Sequence, residues 1–169
     1  MKHILPILTI TTLAAAASAQ TAAAAPAGLS YNQIGLSYSN STKAYSLDAS
    51  AVIAGTNLFV TAETDIGGKN AATAKNGHDS VGLGYLFRNL ALGTDLTLAI
   101  GSNETYALGL RRALGAGFEG KVSYERASGA NVYGAEVAYN INAHYALSVG
   151  YAKTAGVSGA TTFGARYNF

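Results

Sequence analysis

Ten ionisable side chains fall on alternate positions of this chain in a way that could gather them together: Asp48, Glu63, Asp65, Asp95, Arg111, Glu119, Lys121, Glu125, Glu136 and Arg166. Seven are acids and three are bases. The stretch "VYGAEVAYN" (132–140) shows the setting, with Glu136 between Ala135 and Val137 and tyrosines at 133 and 139. Collected in one place, such groups do electrostatic chemistry: clustered carboxylates attract cations, and opposite charges pair wherever water is scarce. Registers counted from the hairpin turns place Asp95 opposite Arg111, Arg111 opposite Glu119 on its other side, and Lys121 opposite Glu136. They also place Asp48 opposite Glu63, with Asp65 one step beyond. Two uses remain open, a network that satisfies and rigidifies a crowded interior and a lining for a thin aqueous path that prefers cations. In the first, one of Asp48 and Glu63 is protonated or bonded to Ser and Thr neighbours.

Other chemistries find little support. Beyond residue 19 the only histidines are His78 and His144. His78 could face Asp65 as an acid/base pair, but one His beside one Asp lacks a nucleophile, so no enzymatic activity is expected. The chain has no cysteine, which excludes thiolate metal sites, thiol redox chemistry and a lipid-modified N-terminus. No cofactor and no metal site are expected. A formal charge of +2 is too balanced for a nucleic-acid partner. "NST" (40–42) and "NET" (103–105) match the glycosylation pattern but read better as tight turns.

The elements that would position the charges are strands. No 3.6-residue period persists after Gly28, whereas two-residue alternation recurs in blocks of about ten between turn-forming clusters. The alternation predicts strands at 29–39, 43–53, 57–66, 77–87, 94–101, 105–112, 117–126, 131–140, 144–152 and 160–169. Every connection suits a hairpin except the loop at 67–76. The fold expected is all-β, a closed antiparallel up-and-down transmembrane β-barrel of ten strands over 29–169, with eight strands as the alternative. Closure removes the exposed edges that a ten-strand meander would otherwise carry. Leu29 and Tyr31 have the wrong phase for Ile34 and Leu36, which suggests a bulge near Asn32 and Gln33.

Parity sorts the aliphatics onto one face and the charges, with much Gly, Ala and Ser, onto the other. The aromatics decide which face looks out. Tyr38, Tyr45, Tyr106, Tyr124, Tyr133, Tyr151 and Phe163 lie near one end of their strands. Tyr85, Phe87, Phe118, Tyr139, Tyr145, Tyr167 and Phe169 lie near the other. Two belts of amphipathic rings around an aliphatic band suit the two interfaces of a membrane, with the charged face turned into the lumen. Only 12% of residues are charged, about half the usual share for a soluble domain. At the N-terminus, Lys2 and His3 precede an apolar run at 4–17 and "ASA" at 17–19. Residues 1–19 therefore read as a secretory signal peptide, too short in its apolar run to span a bilayer, and 20–28 as a flexible leader.

The export signal, the hairpin meander and the closing "FGARYNF" make the chain resemble the small outer-membrane β-barrel proteins of Gram-negative bacteria, the porin-like and OmpA/OmpX-like group. Members of that group end in an aromatic residue preceded by alternating apolar positions, a pattern that Phe163, Ala165, Tyr167 and Phe169 match. The resemblance implies export through the periplasm, recognition by the barrel-assembly machinery and residence in the cell outer membrane. Lipids and lipopolysaccharide would be the partners there, and Lys43, Lys69, Lys75 and Lys153 are either contacts to its phosphates or ordinary solvated loop charges. The expected function is a non-enzymatic structural or surface barrel, or a narrow cation-preferring passive channel. The alternative is a binding or adhesion module acting through its extracellular loops. Oligomeric state is not legible.

Overall fold

A computed structural model describes residues 29–66, 79–127 and 129–169. The expected signal peptide, the leader, the 67–76 loop, Lys69, Lys75 and His78 lie outside the described residues. Ten strands follow in order: β1 (Gln33–Ser39), β2 (Ala44–Val52), β3 (Leu58–Ile66), β4 (Ser80–Ala91), β5 (Thr94–Gly101), β6 (Thr105–Gly115), β7 (Phe118–Ala127), β8 (Ala130–Asn140), β9 (Tyr145–Thr154) and β10 (Ala160–Asn168). Each pairs antiparallel with its neighbours in sequence, and β1 closes on β10, so the sheet is a barrel of ten strands rather than eight. Gln33 pairs with Asn168, which sets the start of β1 and the end of β10 at one end of the barrel. This is the turn-side end, where the short connections between β2 and β3, β4 and β5, β6 and β7, and β8 and β9 also lie.

Two strands run well past their expected turn-side ends because of their turns. β4 continues to Ala91 and β6 to Gly115, each ending in a two-residue turn with positive φ at both positions. Leu92 and Gly93 have φ of 53° and 70°, and Ala116 and Gly117 have 50° and 81°. Such turns match the twist of the flanking strands but favour Asn and Gly, so Leu and Ala give little warning of them. A register shift between Phe87 and Ala91 accompanies the positive φ of Asn89.

The sheet is greasy outside. Leu83, Leu98, Ile100, Leu108, Val122, Val137, Leu147 and Val149 all point outward and are exposed, Ile100 by 62%. A water-soluble barrel would turn this parity inward; a surface of this kind is satisfied by hydrocarbon, and every strand edge is paired, as a membrane-spanning sheet requires. The rings flank the aliphatic band as cross-strand partners. Tyr38 packs on Tyr45 at 5.1 Å and Tyr124 on Tyr133 at 5.4 Å near the loop-side end. Phe118 packs on Tyr139 at 5.0 Å and Tyr145 on Tyr167 at 5.3 Å near the turn-side end. Tilted contacts at these separations add to the area the rings cover.

The first strand does not contain the expected bulge near Asn32 and Gln33. β1 starts at Gln33, and Leu29 to Asn32 turn inward, so Tyr31 shares the inward parity of Gln33 because both face the lumen. Tyr31 packs there with Phe59 and Leu86, against Leu29, Val52 and Ala99. The phase conflict at Tyr31 thus marks chain leaving the sheet.

Candidate functional site

The inward parity encloses a cavity of about 390 Å³. Asp48, Glu63, Arg111, Lys121, Glu125, Glu136 and Arg166 line it. Its wall is kept thin by glycines set opposite larger cross-strand partners. A Cβ on Gly35 would overlap the Asp48 carboxylate, and one on Gly84 would overlap the Phe59 ring and come within 2.6 Å of the Leu98 carbonyl. Asp48 and Phe59 therefore lie over these glycines, against the wall of the neighbouring strand.

A bonded cluster stands at the turn-side end of the lumen. Arg111 donates through Nε (3.0 Å) and Nη2 (2.5 Å) to Glu119 Oε2, and Arg166 Nη2 donates to the same oxygen at 2.8 Å. Asn140 Nδ2 donates to Glu119 Oε1 at 2.7 Å, so one buried carboxylate answers two arginines and an amide. Tyr31 lies beside this cluster. Its hydroxyl donates to Asp95 Oδ2 at 3.1 Å, and its ring has the Arg111 guanidinium at 5.1 Å and that of Arg88 at 5.8 Å, within cation–π range. Burial pushes the Tyr31 hydroxyl well above the ordinary tyrosine range, which keeps it a donor.

Several expected pairings change partners. Asp95 and Arg111 do share a register position on β5 and β6. However, the Asp95 carboxylate is taken by Tyr31 and by the Asn89 backbone N–H at 2.8 Å, so Arg111 reaches Glu119 instead. Glu119 is not opposite Arg111 either. Its register partner is Ala113, and Arg111 stands opposite Lys121, so the ion pair is a diagonal that the long guanidinium spans. Lys121 and Glu136 are register partners, yet among the described residues no ion pair joins them. Asp48 faces Glu63 across β2 and β3, and Asp65 beyond them accepts from Ser46 Oγ at 2.6 Å.

Sequence reasoning missed Tyr31, Asn140 and Arg88. The phase conflict at Tyr31 is the available signal there, and Asn140 shares the inward parity of Glu136 on β8, which gives its side but not its partner. Arg166 was foreseen as luminal but without a partner, and Glu119 supplies one. His144 sits at the turn-side rim, its Nδ1 3.0 Å from the Asn168 carbonyl and its ring stacked on Tyr167, which gives it a structural task.

No family model matches the chain, and no curated protein does. Solved structures do show a likeness. A KdgM porin in complex with disordered oligogalacturonate is 12% identical with a TM-score of 0.48, covering 81% of this chain and 99% of that one. A NanC porin is 10% identical with a TM-score of 0.45, over 81% of this chain and 98% of that one. Omp33, an outer-membrane protein of Acinetobacter baumannii, is 12% identical with a TM-score of 0.34, over 84% and 100%. The superpositions are loose, so nothing of those proteins' chemistry passes to this one. What the lumen can do follows from its own side chains. Above the bonded cluster, Asp48, Glu63, Glu125 and Glu136 face the cavity, with Lys121 as the one lining base among the described residues that is not tied to Glu119.

Proposed function

We propose that this protein is a non-enzymatic barrel of the bacterial outer membrane that acts as a narrow passive channel preferring cations. The observation that carries the reading is the division of labour among luminal charges. Glu119 offsets one of the two charges of Arg111 and Arg166, while four carboxylates and one lysine face the remaining cavity, so acids still outnumber bases along the lumen. The outward aliphatic band between two tyrosine-rich belts supports residence in a bilayer, and a β-barrel belongs to the outer membrane among bacterial membranes. Outer-membrane lipids and lipopolysaccharide are its surroundings, and Phe163, Ala165, Tyr167 and Phe169 form its signal to the barrel-assembly machinery. Phe163, Ala165 and Tyr167 project outward on β10, the strand that closes the barrel, where such a signal has to be read before closure.

The test is the reversal potential of the purified protein in planar bilayers across a potassium chloride gradient. A potential of the sign that marks cation preference is expected. Asp48→Asn together with Glu63→Gln should move it toward zero without abolishing folding, since among the described residues neither side chain holds an ion pair. Anion preference in the unaltered protein would overturn the reading.

A further inference from the structure

We propose that the Leu29–Asn32 segment is a built-in closure of the turn-side mouth, with Tyr31 as the bar across it. The proposal rests on the channel reading and names what controls it. Tyr31 precedes β1, yet its bonding partners stand on the far wall. Asp95 lies on β5 and Arg111 on β6, four and five strands away around a ring of ten. The hydroxyl bond to Asp95 therefore crosses the lumen instead of running along its wall. The backbone of the same segment is tied from the same side, because Arg111 Nη1 donates to the Ser30 carbonyl at 2.5 Å. On the near wall, Ser50 Oγ donates to the Tyr31 carbonyl at 2.8 Å, and the Val52 N–H donates to Asn32 Oδ1 at 2.8 Å.

Side chains from several strands pack around the bar. Phe59 and the fully buried Leu86 pack on the Tyr31 ring from β3 and β4, and the Arg111–Glu119–Arg166 cluster fills the side nearest β6, β7 and β10. The segment differs from a structural strap in one respect. It contributes no register pair to the barrel, which closes through Gln33–Asn168 and onward without it. Leaving the mouth would cost the side-chain bonds, the burial of one ring and, at the Asn32 hinge, the backbone bond from the Phe169 N–H to the Asn32 carbonyl at 3.0 Å, while the register pairs of the sheet stay whole. Arg111 is shared between the segment and Glu119, so the ion pair would survive the departure and hold the floor residues in place.

The chain has no cysteine, which allows a direct test on the full-length protein. Ser30→Cys is labelled with a charged, water-soluble maleimide in detergent and in liposomes, with and without Tyr31→Ala, and both proteins are recorded in planar bilayers. Loss of the bond to a buried charge together with the ring should raise the labelling rate about tenfold or more. Mean conductance should rise in the same variant, and Tyr31→Phe should fall between. Equal labelling rates with and without Tyr31→Ala would overturn the closure, whatever the conductance. Faster labelling with no conductance from either protein would leave the closure standing and end the channel reading instead. A folded barrel is checked in each case by heat-modifiable gel mobility.

Discussion

Glu119 accepts hydrogen bonds from three residues on three strands, Arg111 on β6, Asn140 on β8 and Arg166 on β10. Each arginine is desolvated in the floor cluster, so removing the shared acceptor leaves two cations without an answer. Glu119→Gln should therefore destabilise the barrel by about 3 kcal/mol, the cost typical of breaking a buried ion pair from one side. The urea midpoint of the compact, heat-modifiable form measures it. Asp65→Asn, in contrast, keeps an acceptor for Ser46 at a half-buried position and should shift that midpoint by less than about 1 kcal/mol. The luminal position of these groups was legible from parity alone, because one residue of slip would send every one of them into lipid. Their partners were not. Register places Cα atoms, whereas Arg111 reaches two residues past its register partner, and Asp95 is claimed by a tyrosine from outside the sheet.

At the scale of elements, alternation gave away the ten strands, since a half-lipid, half-lumen strand must repeat every two residues. Strand ends on the turn side were harder. Turn signals rest on Gly, Asn and Asp, and here Leu92 and Ala116 adopt positive φ without belonging to that set. The strain gives an expected outcome: Leu92→Asn creates the favoured Asn-Gly pair and should stabilise the barrel by about 1 kcal/mol. A parallel gain in refolding yield from urea would accompany it. Opposite results are expected for Gly84→Val, where the new side chain meets the Phe59 ring and the Leu98 carbonyl. That change should cost about 1–3 kcal/mol as overpacking and should disturb the mouth, because Phe59 is one of the residues seated on Tyr31. The first strand shows a limit of pattern reading. A phase break looks the same whether a residue bulges within the sheet or the chain has left it, and only the lumen's need for a filling side chain separates the two.

The whole molecule is organised around an inversion, with aliphatic side chains outside and charges within. An arginine placed outward near mid-strand should cost about 2–4 kcal/mol in a bilayer, so Leu108→Arg is expected to assemble poorly, while Thr97→Arg one strand away should be tolerated in the wet lumen. The inversion is tested most directly by a spin-label scan along β5 in liposomes, one cysteine at a time from Leu96 to Gly101. Labels at Leu96, Leu98 and Ile100 should collide with membrane-dissolved oxygen and be shielded from a water-soluble nickel chelate, with Thr97, Ala99 and Gly101 reversed. Alternation of the opposite phase, or chelate access at every position, would contradict a sheet whose apolar side faces lipid.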